Sequence, residues 1–152
     1  MSRGIIERFY RAFAARDAEA MGALYTDDVR FCDPAFGPLV GERARNMWRM
    51  LAARATDLEL SYRDVTDDSA HWEARYTFSQ TGRRVHNVID ARFQFRDGKI
   101  ARHDDSFDFW RWSRQALGAP GLLLGWTPLL QNAVQKKALA GLDAYERERV
   151  AK

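Results

Sequence analysis

The chain has 152 residues, 46% of them hydrophobic and 12% aromatic, enough for one globular domain with a sizeable core. Its net charge of +3 comes from arginines interleaved with carboxylates along the chain, which excludes the clustered basic face that a nucleic-acid partner requires. A single cysteine, Cys32, excludes an internal disulfide and fits a reducing compartment, and the longest apolar run, around GLLLGW, is too short to span a bilayer.

The opening MSRGIIERFYRAF lacks the continuous apolar run of a signal peptide, so a cytoplasmic protein without membrane partners is expected. Ile5, Ile6, Phe9, Tyr10 and Phe13 recur at helical spacing and predict a first helix with one apolar stripe. Asp17 reads as the N-cap of a short second helix carrying Ala20, Met21 and Leu24. VRFCDP then alternates as a strand, with Val29, Phe31 and Asp33 on one face, and Pro34 ends it. Gly37, Pro38 and Gly41 mark a loop. Ala44, Met47, Trp48 and Leu51 predict a third helix over Glu42 to Ala55, with Arg43, Arg45, Arg49 and Arg54 on its solvated side. Leu58, Leu60 and Tyr62 alternate as one strand, and Trp72, Ala74, Tyr76 and Phe78 as the next.

A long strand from Arg84 then runs into a tight turn at Asp97-Gly98, the strongest short hairpin signal that a sequence gives. Its inward set is Asn87, Ile89, Ala91, Phe93 and Phe95. After the turn, Ala101, His103, Asp105, Phe107 and Phe109 fall on one face. That face is aromatic yet carries an imidazole and a carboxylate. Buried polar groups need partners, so the mixture points to a lined cavity.

The expected order is helix, helix, strand, helix, then four strands in a meander. That is an α+β architecture, with helices on one face of a curved, mostly antiparallel sheet. Beyond it, Thr127-Pro128 predicts a helix N-terminus, and Leu130, Val134, Ala138, Leu142 and Tyr145 continue as an amphipathic helix of about five turns. The chain therefore divides into a domain over residues 1–112 and a helical extension over 113–152. The extension packs on the same domain or on a partner chain: it covers the cavity mouth, the outside of the sheet, or a second protein.

The segments FYRAFAARD, LYTDDVRFCDP and FQFRDGKIARHDDSFD, within residues 3–110, resemble the nuclear transport factor 2-like superfamily. Its members include ketosteroid isomerases, SnoaL-like polyketide cyclases and limonene epoxide hydrolases. The resemblance implies a cone of curved sheet around helices, an apolar pocket inside, and a homodimer through the outer sheet face. It implies Asp33, in the Asp-Pro step closing the first strand, as the general base of the isomerases. Their oxyanion-holding tyrosine falls on Phe9, with Tyr10 about 100° round the helix. Their protonated acid falls on Ala91, with Asp90 one residue out of phase. Asp105 matches the second aspartate of the epoxide hydrolases, whose Arg-x-Asp pair falls on Trp72 and Ala74.

Asp33 has two readings: a general base whose pKa is raised by burial, or a carboxylate capping the loop after Pro34. His103 and Asp105, at i and i+2 of one strand, pair as second acid and base, or form a polar patch bonded to tryptophans or tyrosines. Trp48, Trp72, Tyr76, Phe107 and Trp112, with Phe9, Tyr10, Phe31, Asn87 and Ile89, line a pocket for a small apolar molecule or are core. The histidines are scattered without ligand spacing, so neither a metal nor another cofactor is expected. Cys32 falls on the outer face and is not nominated as a nucleophile. Three functions remain open. The first is a cofactor-independent SnoaL-like isomerase, cyclase or hydrolase acting on an apolar or carbonyl-bearing molecule. The others are a non-catalytic binding or dimerisation module, and an interaction protein working through its C-terminal helix.

Overall fold

The computed structural model describes residues 2–151, and Met1 and Lys152, the outermost residues of the two expected segments, lie outside it. Helices α1 (Ser2–Ala14) and α2 (Ala18–Ala23) lead into β1 (Tyr25–Asp33) and β2 (Gly37–Val40). Helix α3 (Glu42–Arg54) precedes strands β3 (Glu59–Arg63), β4 (Ser69–Phe78), β5 (Arg83–Arg96) and β6 (Lys99–Ser106). Helices α4 (Phe109–Leu117), α5 (Ala119–Leu124) and α6 (Pro128–Ala151) complete the chain. One six-stranded sheet runs β2-β1-β6-β5-β4-β3, antiparallel except where β1 lies parallel to β6. The architecture is the expected α+β one.

The apolar stripe of α1 is buried in full, as its period requires: Ile5, Ile6, Phe9, Tyr10 and Phe13 pack on the inner face of the sheet. Asp17 caps α2 by accepting from the Ala20 N–H at 3.0 Å. Asp97 and Gly98 both take positive φ (53° and 75°), the two-residue turn whose twist matches the flanking strands. The inward set of β5 is buried from Asn87 to Phe93, while Phe95 is only half-buried near the turn.

Three expectations need correction. Gly37–Val40 is a strand rather than loop, paired antiparallel to β1 from Asp33↔Gly37 to Arg30↔Val40. As an edge strand it tolerates Pro38, which has no N–H to leave unpaired. Next, β6 carries a bulge: Gln94 pairs with Arg102 but Phe95 with Ile100, which leaves Ala101 over. Strict alternation fails there, and Ile100 and His103 both point inward. Third, β6 stops at Ser106, because Asp108 caps α4 by accepting from the Arg111 N–H at 3.1 Å; Phe109 opens that helix instead of ending the strand. Residue 113, where the helical extension is expected to start, falls inside α4. On the sheet's outer face, His86 and Asp90 of β5 both pair with side chains of β4. His86 Nε2 lies 2.6 Å from Glu73, and His71 lies 3.1 Å from both Glu73 and Asp90.

Helix α4 packs on the part of β5 that extends past the end of β6. There the Gln115 side chain accepts from the His86 N–H (2.7 Å) and donates to its carbonyl (3.2 Å), so it stands in for the missing strand. The long α6 lies across α3 and the end of β1. Gln131 and Gln135 donate to the Pro34 carbonyl, Arg43 pairs with Asp143 at 2.8 Å and with Glu146, and Leu142 is fully buried beneath.

Gly41, between β2 and α3, has φ 62°, and a Cβ there would stand 2.9 Å from the Asp27 carbonyl oxygen. That backbone region is strained for any L side chain and the carbonyl cannot give way. Gly41→Ala is expected to lower stability by about 2 kcal/mol, measured by urea denaturation. A loss under about 0.5 kcal/mol would show that the β2–α3 junction relaxes freely.

Candidate functional site

A half-open cavity of about 470 Å³ lies between the inner face of the sheet, α3 and α6. That is within the range of small-molecule sites. Trp48 of α3, Trp72 and Tyr76 of β4, Asn87 and Ile89 of β5, and Phe107 all face it, along with Asp33 and Asp105. Phe9, Tyr10 and Phe31 do not: all three lie behind this wall in the closed core, 0–1% exposed. Their spacing marked a buried face correctly, but says nothing about which side of the core faces empty space. Trp112 faces the cavity too, its indole N–H donating to the Tyr76 hydroxyl at 2.9 Å, and what sequence reasoning missed is the α6 rim of Leu130, Val134 and Lys137. Leu130 and Val134 were on the amphipathic stripe already; only the surface that it covers was unknown.

Asp33 caps the turn after it and also stands in the cavity wall. Its Oδ1 accepts from the Ala35 N–H (2.9 Å) and the Phe36 N–H (2.6 Å), the Asp-Pro turn chemistry. Its Oδ2 has no partner among the described residues and stands in the cavity wall. Burial pushes the carboxyl up to about 7, with the Asp105 charge adding to the rise and the two N–H donors opposing it. Asp33 can therefore exchange a proton near neutral pH.

Asp105 sits across from Ala91 on the neighbouring strand, facing inward. Its Oδ1 accepts from His103 Nε2 at 2.9 Å and from Trp72 Nε1 at 3.4 Å, while Oδ2 has no partner among the described residues. His103 is wholly buried, its ring stacked 4.4 Å from that of Phe93, so it touches Asp105 and not the cavity. Behind it stands Tyr25, whose hydroxyl lies 2.8 Å from His103 Nδ1 and accepts from Trp48 Nε1 at 2.9 Å. An indole only donates, so the Tyr25 O–H is free to donate to Nδ1, and the imidazole proton then belongs on Nε2, facing Asp105. The result is a relay, Trp48 to Tyr25 to His103 to Asp105, that fixes one carboxylate oxygen and leaves the other open. Tyr25 was not singled out in the sequence, although it shares the parity of Val29 and Phe31. The Tyr10 hydroxyl is buried without a partner among the described residues.

A curved sheet wrapped around α1 and α3, with a cavity at its open end, defines the nuclear transport factor 2-like class. Within that class, residues 6–103 match the model of the SnoaL-like domain, and the chain belongs to that family. No curated protein matches it. Among solved structures it is similar to a protein from Pseudomonas putida KT2440 provisionally called a polyketide cyclase, at 20% identity over 76% of this chain and 98% of that one (TM-score 0.59). TerC, crystallised with polyporic acid, is 20% identical over 75% and 96% (TM-score 0.61). An epoxide hydrolase from M. tuberculosis of the limonene type is 20% identical over 85% and 94% (TM-score 0.59). At these identities the likeness is one of fold.

Proposed function

We propose that this chain is a cofactor-independent SnoaL-like enzyme that moves a proton on a small, largely apolar, carbonyl-bearing molecule. The observation that carries this reading is a pair of carboxylates in one apolar cavity held in unlike surroundings. Such a pair divides acid and base roles between its members. Asp33, with its carboxyl near 7, is the group that takes a proton from carbon next to a carbonyl and returns it elsewhere. Asp105, held through His103 and Trp72, presents its free oxygen as the second group. Neither the isomerase pair at Phe9 and Ala91 nor the hydrolase pair at Trp72 and Ala74 carries its hydroxyl or charge, so isomerase or cyclase chemistry here relies on the two aspartates.

The test is deuterium incorporation next to the carbonyl of a panel of cyclic ketones and diketones, followed by NMR in heavy water. Polyporic acid serves as a binding probe for the cavity. The wild type is expected to catalyse exchange, and Asp33→Asn and Asp105→Asn each to lose it by about a hundredfold or more while keeping probe affinity. Exchange that survives both substitutions would take the two aspartates out of the reaction, and a wild type that binds the probe without catalysing exchange would be a ligand-binding module.

A further inference from the structure

The surface farthest in character from the rest of the molecule is the α5 knob. Leu122, Leu123 and Leu124 stand exposed, with Leu123 at 68%, and Trp126 (70%) and Leu129 (73%) extend the patch to the start of α6. Both neighbouring indoles tie their N–H groups back to this segment. Trp110 Nε1 donates to the Leu122 carbonyl at 3.1 Å and Trp126 Nε1 to the Leu123 carbonyl at 3.0 Å. Their rings are thus held at the surface with their polar atoms already satisfied. An exposed apolar patch of this kind marks a place where something docks.

The charge around the knob says what. From Phe109 through Leu142 the chain contains no Asp or Glu, although it has 21 in all, and it carries Arg111, Arg114, Lys136 and Lys137. Arg83, Arg84, Arg111 and Arg114 border one groove beside the knob. Arg84 pairs with Asp57 at 2.8 Å and Arg83 donates to the Gln115 carbonyl. Arg111 and Arg114 have no carboxylate partner among the described residues, and Arg114 lies 4.7 Å over the Trp110 ring, which places the free charge against the apolar patch. The nearest acid in sequence, Asp108, is occupied in capping α4.

We infer that the α5 knob and its arginines dock the protein on an anionic lipid surface, with Leu123 and Trp126 entering the headgroup boundary and Arg111 and Arg114 meeting lipid phosphates. Tryptophan and leucine on an apolar tip, ringed by arginine, form the pattern of interfacial membrane binding. A second copy of the chain fits less well, because a two-fold contact here would bring two acid-free arginine clusters together. No helix among the described residues is long and apolar enough to cross a membrane, so the contact is peripheral. The expectation of no membrane partner rested on the lack of a signal-peptide run and of a spanning length, neither of which tests for a knob. Elements on either side of the knob line the cavity, Trp112 and Leu117 before it and Leu130 after it. An apolar ligand dissolved in the bilayer would therefore meet the cavity close to the docked face.

Sedimentation of the full chain with phosphatidylcholine vesicles, with and without phosphatidylglycerol, tests this. At low salt, binding to the anionic vesicles is expected to exceed binding to the neutral ones by about tenfold or more and to weaken as salt screens the arginines. Leu123→Asp with Trp126→Asp removes the tip, and Arg111→Glu with Arg114→Glu reverses the charge while leaving the tip in place. All four are surface changes whose folding is checked by circular dichroism, and each pair is expected to abolish the preference for anionic vesicles. Absence of binding to either vesicle, equal binding to both, or unchanged binding by either variant pair would overturn the inference. So would a concentration-dependent oligomer that Trp126→Asp dissolves, since the knob would then be an interface between copies.

Discussion

Asp33→Asn is expected to stabilise the protein above neutral pH while removing its proton chemistry. In the folded chain the Asp33 carboxyl titrates near about 7, and in the unfolded chain it returns to its ordinary 3.8. Between those values the native state holds a proton that the unfolded state has released, so stability falls as pH rises through that window and stays low above it. At about 1.4 kcal/mol per pH unit, the interval corresponds to a cost of up to about 4 kcal/mol at pH 8. Asparagine is uncharged and its Oδ1 can still accept from the Ala35 and Phe36 N–H groups that hold the turn. Urea denaturation of wild type and variant should therefore nearly coincide at pH 4 and separate by several kcal/mol at pH 8, with the variant the more stable. Deuterium exchange by the wild type should rise with pH around 7, as the base form appears, and the variant should show no such rise. If the two proteins keep the same stability difference from pH 4 to pH 8, the raised carboxyl is not there and Asp33 is turn chemistry alone. A strained group that weakens the fold and performs the reaction is a common trade in active sites.

Much of this site could be read in the sequence because strands impose a period of two. Parity alone brought Asp33, His103 and Asp105 to one face, and the Asp97-Gly98 turn fixed the phase of both hairpin strands. Parity could not reveal the bulge at Ala101, since nothing marks an alanine as the extra residue, and it is the bulge that brings Ile100 inward as well. The edge strand β2 was hidden by glycine and proline, which signal a turn in isolation but are harmless where an N–H has no partner to meet. Helical periodicity has a similar limit. It places Phe9 and Tyr10 on the buried side of α1, but burial in closed core and burial against a cavity give the same stripe. For α6 the stripe was legible and the covered surface was not, because that depends on pairs more than 80 residues apart, such as Gln131 with Pro34 and Arg43 with Glu146.

His103→Leu is expected to lower stability by about 3 kcal/mol and exchange activity by about tenfold or more. The leucine fills the space among Phe9, Phe31 and Phe93 but supplies no polar atom. The Tyr25 hydroxyl, wholly buried, would lose the acceptor at 2.8 Å, and the Asp105 carboxylate would keep only the 3.4 Å contact from Trp72. A buried polar group left without its partner costs about 1–3 kcal/mol, and two are created here against a modest apolar gain. For a domain of this size that corresponds to a fall of about 6–12 °C in Tm. His103→Gln separates packing from positioning. Its amide can donate to Asp105 and accept from Tyr25, so it should recover part of both the stability and the activity. Probe affinity in the cavity should change little in either variant, because His103 does not touch the ligand space. The relay would be disproved by a leucine variant within about 0.5 kcal/mol of wild type, or by a glutamine variant no better than leucine. If the relay holds, the aromatic core behind the cavity does more than fill volume: through one imidazole it sets the orientation of a carboxylate that lines the cavity.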